Sequence, residues 1–209
     1  MQRSLCTLTV LRMAQSDDAD DDVRVLDPRS LRGLAHPLRL RLLGALREYG
    51  PATASQLAGR LGESSGATSY HLRQLAAHGF VDDDPERGKG RERWWKAAQR
   101  GTRWGTEELL RHPDPSVRGA MNTLMHELAT VHGQNLSTWL GTLHEWPAEW
   151  RTNWDISDFT LRLTPALARE MLDKVHEVIN GYREQELDPD TEHSARYRVH
   201  LHGFPRDED

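Results

Sequence analysis

Three linked stretches decide the fold: Thr53-Ala54-Ser55-Gln56-Leu57-Ala58-Gly59-Arg60-Leu61-Gly62, then Ser64 to His78, then Gly79-Phe80-Val81. Thr53 is an N-cap residue, and Leu57, Ala58 and Leu61 form one apolar edge of a short helix closed by Gly62. A third helix is expected from Ser64 or Ser65 to His78, with Thr68, Leu72, Leu75 and Ala76 inward and Gly79 as its left-handed cap. Ala58 is small enough for two helices to cross closely, and Gly62 permits a tight turn between them. The outward side of the third helix then carries Ser65, Gly66, Ser69, Tyr70, Arg73 and Gln74, and no carboxylate occurs from Ser64 to His78.

Working outward, Asp27-Pro28 opens a helical pattern through Leu31, Leu34, Leu38, Leu42, Leu43 and Leu46. Pro37 predicts a kink, or a short first piece ending near His36. After the third helix, Phe80-Val81, the polar loop Asp82 to Gly90 and the stretch Arg91 to Lys96 read as a strand, a turn and a returning strand. The order helix, helix, turn, helix, β-hairpin is that of a winged helix-turn-helix domain, expected over residues 25–103. Arginine and glutamine can read guanine and adenine edges with paired bonds, while serine and tyrosine more often hold phosphates. The candidate contacts are therefore Ser65, Ser69, Tyr70, Arg73 and Gln74 from the third helix and Arg87, Lys89 and Arg91 from the wing.

Residues Pro28 to about Trp104 resemble the ArsR family of winged-helix regulators. Leu34-Ala35-His36-Pro37-Leu38-Arg39-Leu40-Arg41-Leu42-Leu43, the Ser69-x-His71-Leu72-x-x-Leu75 helix and Gly79-Phe80-Val81 carry the likeness. The resemblance implies a homodimer on an inverted repeat of double-stranded promoter DNA, each third helix in a major groove, with repression as the expected outcome. Members of that family often sense metals through a Cys-x-Cys pair or Asp/His clusters. This chain departs from that pattern: its one cysteine, Cys6, lies outside the helices, and His126 and His132 are six residues apart on different faces of a helix. His200 and His202 share a strand face but lack a carboxylate partner nearby. No cofactor is expected, and a histidine-based metal sensor stands only as the alternative within the family.

Charge divides along the chain. Met1 to Asp22 holds 2 basic and 5 acidic residues, Val23 to Arg103 holds 15 and 8, and Trp104 to Asp209 holds 10 and 19. A basic middle beside an acidic end suits a first half that meets a polyanion, despite the overall −5. Residues 1–24 form an acidic segment expected to be disordered, and Met13 is an alternative start. With one cysteine, no bilayer-length apolar run and no signal-peptide pattern, a cytoplasmic location without membrane contact is expected.

Beyond the wing, residues 104–209 predict a helical dimerisation region followed by a small α+β part, so the whole is mainly α with small β. A long helix from about Ser116 to Glu145 carries an apolar stripe that includes Met121, Leu124, Leu128 and Val131, the expected dimer contacts, with help from Leu31 and Leu34. The competing expectation packs this stripe within its own subunit. Phe159, Leu161 and Leu163 alternate with polar residues, as do Tyr197, Val199 and Leu201, predicting two strands around a helix that starts at Thr164-Pro165. Trp139, Trp146, Trp150 and Trp154 are packing residues that could also line an apolar pocket for an unknown small-molecule effector. The chain has no phosphate-cradling glycine loop, GxSxG elbow or HExxH pair, so no catalysis is expected. A winged helix used for protein contact without DNA readout is the remaining alternative; an acidic third helix would favour it.

Overall fold

The computed structural model describes residues 23–87, 92–183, 185, 187, 188 and 191–207. The expected disordered segment therefore lies, except for its last two residues, outside the described residues. The chain forms two compact units, Met1–Pro147 and Ala148–Asp209.

In the first unit, strand β1 (Val23–Val25) leads into helices α1 (Pro28–Leu34) and α2 (Pro37–Tyr49). Asp27 and Ser30 cap α1 reciprocally, and His36 caps α2 with its Nδ1 accepting from the Leu38 amide at 3.2 Å. The expected break at Pro37 is thus a clean gap between two helices. Its cause is proline at the first turn of each helix, where the missing amide goes unneeded. Strand β2 (Ala52–Thr53) follows, then α3 (Ala54–Leu61), α4 (Ser65–Ala77), β3 (Val81–Asp83), β4 (Trp94–Ala97) and β5 (Gly101–Arg103). Thr53 and Gln56 form a capping box on α3, and Gly62 ends it with φ 69°. Ser64 caps α4, whose exit through Gly79 takes φ 72°.

Two small sheets frame the helices. β4 lies antiparallel between β2 and β3, with Val81 opposite Ala97 and Ala52 opposite Trp95. β1 and β5 pair in parallel, Val23 opposite Gly101. The core gathers Leu31, Leu34, Leu42, Leu43, Leu57, Leu72, Leu75 and Phe80, all fully buried. At ~1.5–3 kcal/mol for each such side chain taken from water, these eight dominate the attraction that holds α1 to α4 together.

Helix α5 (Thr106–Leu110) and the 28-residue α6 (Pro115–Thr142) complete this unit, with a 3₁₀ turn at Leu143–Glu145. Val117, Met121, Leu124 and Leu128 join the same core cluster as Leu31, Leu34 and Leu109. Of the expected dimer contacts, Met121, Leu124 and Leu128 are therefore covered within their own chain, where α6 packs on α1 and α5, and Val131 is buried outside that cluster. An Arg32–Asp114 ion pair and an Arg32 Nη2 donation to Ser116 Oγ at 2.7 Å lock the start of α6 to α1.

The second unit holds α7 (Ala148–Arg151) and α8 (Pro165–Arg183). Thr164 Oγ1 accepts from the Leu167 amide at 3.2 Å, as the Thr-Pro start predicts. The two strands expected around α8 do not form: residues 155–163 and 195–206 have no ladder among the described residues. Phe159, Leu161, Tyr197 and Val199 stand exposed, because alternation creates an apolar face but does not by itself supply a partner strand.

Candidate nucleic-acid interface

The outward side of α4 is built by what lies behind it. Thr68, Leu72 and Leu75 have no exposed surface and key the helix into α2 and α3. That fixes the rotation of α4, so Ser65, Gly66, Tyr70 and Arg73 point to solvent while Ser69 and Gln74 are half-buried at the edge. Arg73 has no hydrogen bond or ion pair to a described residue. The first amides of α4 add their partial positive charge at the Ser64–Ser65 end, where no acidic residue opposes it in the first turn.

The wing stands beside this face. The Asp84 amide donates to the Trp94 carbonyl at 2.9 Å, extending the β3–β4 ladder outward. Arg87 lies exposed in the turn after β3, with Asp84 at 3.6 Å. Lys89 and Arg91, the other two expected wing contacts, lie outside the described residues. Arg93 is instead committed locally: it pairs with Asp83 at 3.0 Å and lies over the Trp95 ring at 4.2 Å. Trp95 is 3% exposed, a packing residue.

Several basic residues of the middle segment face inward. Arg24 donates to the Gly79 carbonyl at 3.0 Å and covers the Phe80 ring, tying β1 to the end of α4. Arg41 bridges Glu63 at 2.8 Å and the Leu61 carbonyl at 2.6 Å, holding the turn between α3 and α4 against α2. Arg47 reaches the Gln99 and Gly101 carbonyls and Thr102 Oγ1. These arginines brace α4 and the strands rather than face outward, so the segment's excess of positive charge overstates what α4 and the wing present. Sequence reading missed them, since an arginine that meets a carbonyl twenty to fifty-five residues away leaves no local pattern.

A histidine cluster sits behind α4. The His36 and His71 rings lie 4.3 Å apart, and Tyr70 meets His71 edge-on at 5.1 Å. His78 packs against Gly33, where a β-carbon would fall 2.2 Å from the ring. Burial, reinforced by Arg39 and by neighbouring cationic groups, lowers the pKa of all three histidines below the ordinary 6.5. Among the described residues no group of three or more His, Cys, Asp or Glu is arranged to hold a metal ion. No helix of the described residues is long and apolar enough to cross a membrane.

A helix presented outward by a three-helix core, with a β-hairpin at its flank, defines a winged helix-turn-helix domain. A family described as "Helix-turn-helix domain" matches residues 34–84, which span α2 through β3. Among solved structures the chain is similar to Lactococcus lactis ZitR, wild type in complex with DNA, at 15% identity and a TM-score of 0.28 over 68% of this chain and 73% of that one. So loose a superposition carries no argument about this chain. No curated protein matches it.

Proposed function

We propose that the chain is a sequence-specific DNA-binding transcriptional regulator of ArsR type, acting as a repressor and binding an inverted repeat as a homodimer. One observation carries the reading: α4 turns Ser65, Tyr70 and Arg73 outward on a face with no carboxylate, beside the exposed Arg87 of the wing. Arg73 and Gln74 read base edges, Ser65, Ser69 and Tyr70 position α4 on phosphates, and Arg87, Lys89 and Arg91 hold the flanking backbone. One such domain covers too few base pairs for useful specificity, which is the reason for a two-fold pair on half-sites about one turn apart. With Met121, Leu124 and Leu128 engaged by their own subunit, the pair would use side chains of α6 that remain exposed, Met125 and Leu140 among them.

A mobility-shift titration on the DNA upstream of the chain's own gene, at two salt concentrations, tests this. A regulator gives a discrete complex that outlasts competitor DNA at the higher salt. Equal affinity for unrelated duplexes at both concentrations would refute sequence-specific readout, and no complex with any duplex would favour the protein-contact alternative.

A further inference from the structure

The second unit contains an aromatic bowl that DNA binding does not use. Trp150 of α7, Trp154 just beyond it, Tyr182 near the end of α8 and Tyr197 of the C-terminal segment line an open cavity of about 670 Å³, with Thr152, Asn153 and Asp155. Trp150 and Tyr197 face one another with ring centres 6.1 Å apart and planes tilted by 34°. The floor is held in place: Trp154 Nε1 donates to the Arg151 carbonyl at 3.1 Å and Asn153 Nδ2 to the Glu149 carbonyl at 2.7 Å. Tyr182 and Tyr197 nonetheless leave 73% and 59% of their surface exposed, a large aromatic area open to solvent.

Charge selects the ligand class. Aspartate is the one charged residue type in the lining, as Asp155, and no lysine, arginine or histidine lines the bowl. Both Asp155 carboxylate oxygens take the Ser157 hydroxyl at 2.7 Å, which fixes the carboxylate without neutralising it. From Ala148 to Asp209 the sequence carries 14 acidic against 8 basic residues. Ring faces are electron-rich and attract cations, and a carboxylate at the rim favours cations over anions.

We infer that this bowl binds a bulky organic cation, one whose apolar groups meet the Trp150, Trp154 and Tyr197 rings while its positive charge lies near Asp155. The site is independent of the DNA-reading proposal, since nothing in it depends on α4.

Tetraphenylphosphonium and tetraphenylborate provide the test, because they share a shape and differ in the sign of their charge. Isothermal titration of the full chain should show saturable binding of the phosphonium to one site, with the borate bound at least about tenfold more weakly. Asp155→Asn should weaken the phosphonium about threefold or more. Tyr197→Leu, which keeps apolar area but removes the π face, should weaken it about two- to fivefold. Equal binding of both ions, undisturbed by Asp155→Asn, would show a greasy patch without cation selectivity and overturn the inference. Failure of the phosphonium to bind overturns it as well.

Discussion

Gly33→Ala should loosen α4 without altering any of its own residues. In α1 an alanine β-carbon would lie 2.2 Å from His78 Cγ and 2.5 Å from both Cδ2 and Nδ1. All three are atoms of the ring's inner edge, so no swing of a flexible side-chain tip relieves the overlap. His78 is also the C-cap of α4, its amide donating to the Gln74 and Leu75 carbonyls at 3.2 Å, so a displaced ring pushes on the end of α4. Overpacking of this kind costs roughly 1–3 kcal/mol, and so close an approach belongs at the upper end. The gain in helix propensity from glycine to alanine returns about 1 kcal/mol, leaving a net loss of about 2 kcal/mol. For a unit near 150 residues, each kcal/mol moves the midpoint by roughly 2–4 °C, so Tm should fall by about 4–8 °C in a calorimetric or circular-dichroism melt. Gly59→Ala is the internal control: it also lies in a helix, but its β-carbon would meet nothing within 4 Å, so it should raise Tm slightly. Adding His78→Ala to Gly33→Ala should recover part of the loss. If Gly33→Ala melts at or above the wild type, the close packing of α1 on the end of α4 is wrong.

The DNA-reading proposal predicts a split between two cations. Arg73→Ala should lose the preferred operator by about 1–3 kcal/mol, whereas Lys89→Ala should weaken all duplexes alike and reduce the salt slope by about one; an Arg73→Ala protein that binds its operator normally refutes the assigned face. The lowered histidines give a pH dependence with a definite sign. In the folded chain His36, His71 and His78 resist protonation, mainly through burial, so below the unfolded value near 6.5 the unfolded chain binds more protons and stability falls with pH. Tm should therefore drop from pH 7.5 to 5.5, and less so in His71→Gln; a flat profile would contradict the cluster's burial. Thr53→Ala removes half of the capping box on α3, where the Gln56 amide reaches Thr53 Oγ1 at 3.3 Å, and should cost about 1 kcal/mol in a denaturant titration with an unchanged slope.

The helices of the first unit were legible because their signals are local. Thr53, Gly62, Ser64 and Gly79 cap or close elements by chemistry confined to four or five residues, and the periodic leucines between them reach a shared core. The short strands β1, β2 and β5 were not legible. Two or three residues hold no periodicity, and β1 exists because it lies beside β5, nearly eighty residues on. The segments around α8 failed in the opposite direction. Phe159 to Leu163 and Tyr197 to Leu201 alternate cleanly, yet a strand is a pairing, and neither has a partner among the described residues. On α4, residue identity and helical phase were enough to separate inward Thr68, Leu72 and Leu75 from outward Tyr70 and Arg73. Which arginines would remain available was beyond that reading, because it depends on carbonyls supplied by distant loops.

Engagement of arginines by carbonyls changes how charge bears on function here. The excess of basic residues between Val23 and Arg103 suggested a cationic surface, but Arg24, Arg41 and Arg47 satisfy backbone carbonyls, and Arg93 is paired with Asp83. A carbonyl-bound arginine keeps its charge, yet its donors are engaged and its position is set by the fold, so it contributes long-range field rather than a contact. Contacts fall to the few cations not so engaged, Arg73 on α4 foremost. The interface should accordingly show a modest salt slope for so basic a segment, with phosphate contacts counted from the wing and α4 alone. Neutralising Arg47 should then melt the domain earlier while leaving the slope unchanged, whereas neutralising Arg87, which lies 3.6 Å from Asp84 with 59% of its side chain exposed, should reduce the slope and lower the melting temperature only slightly.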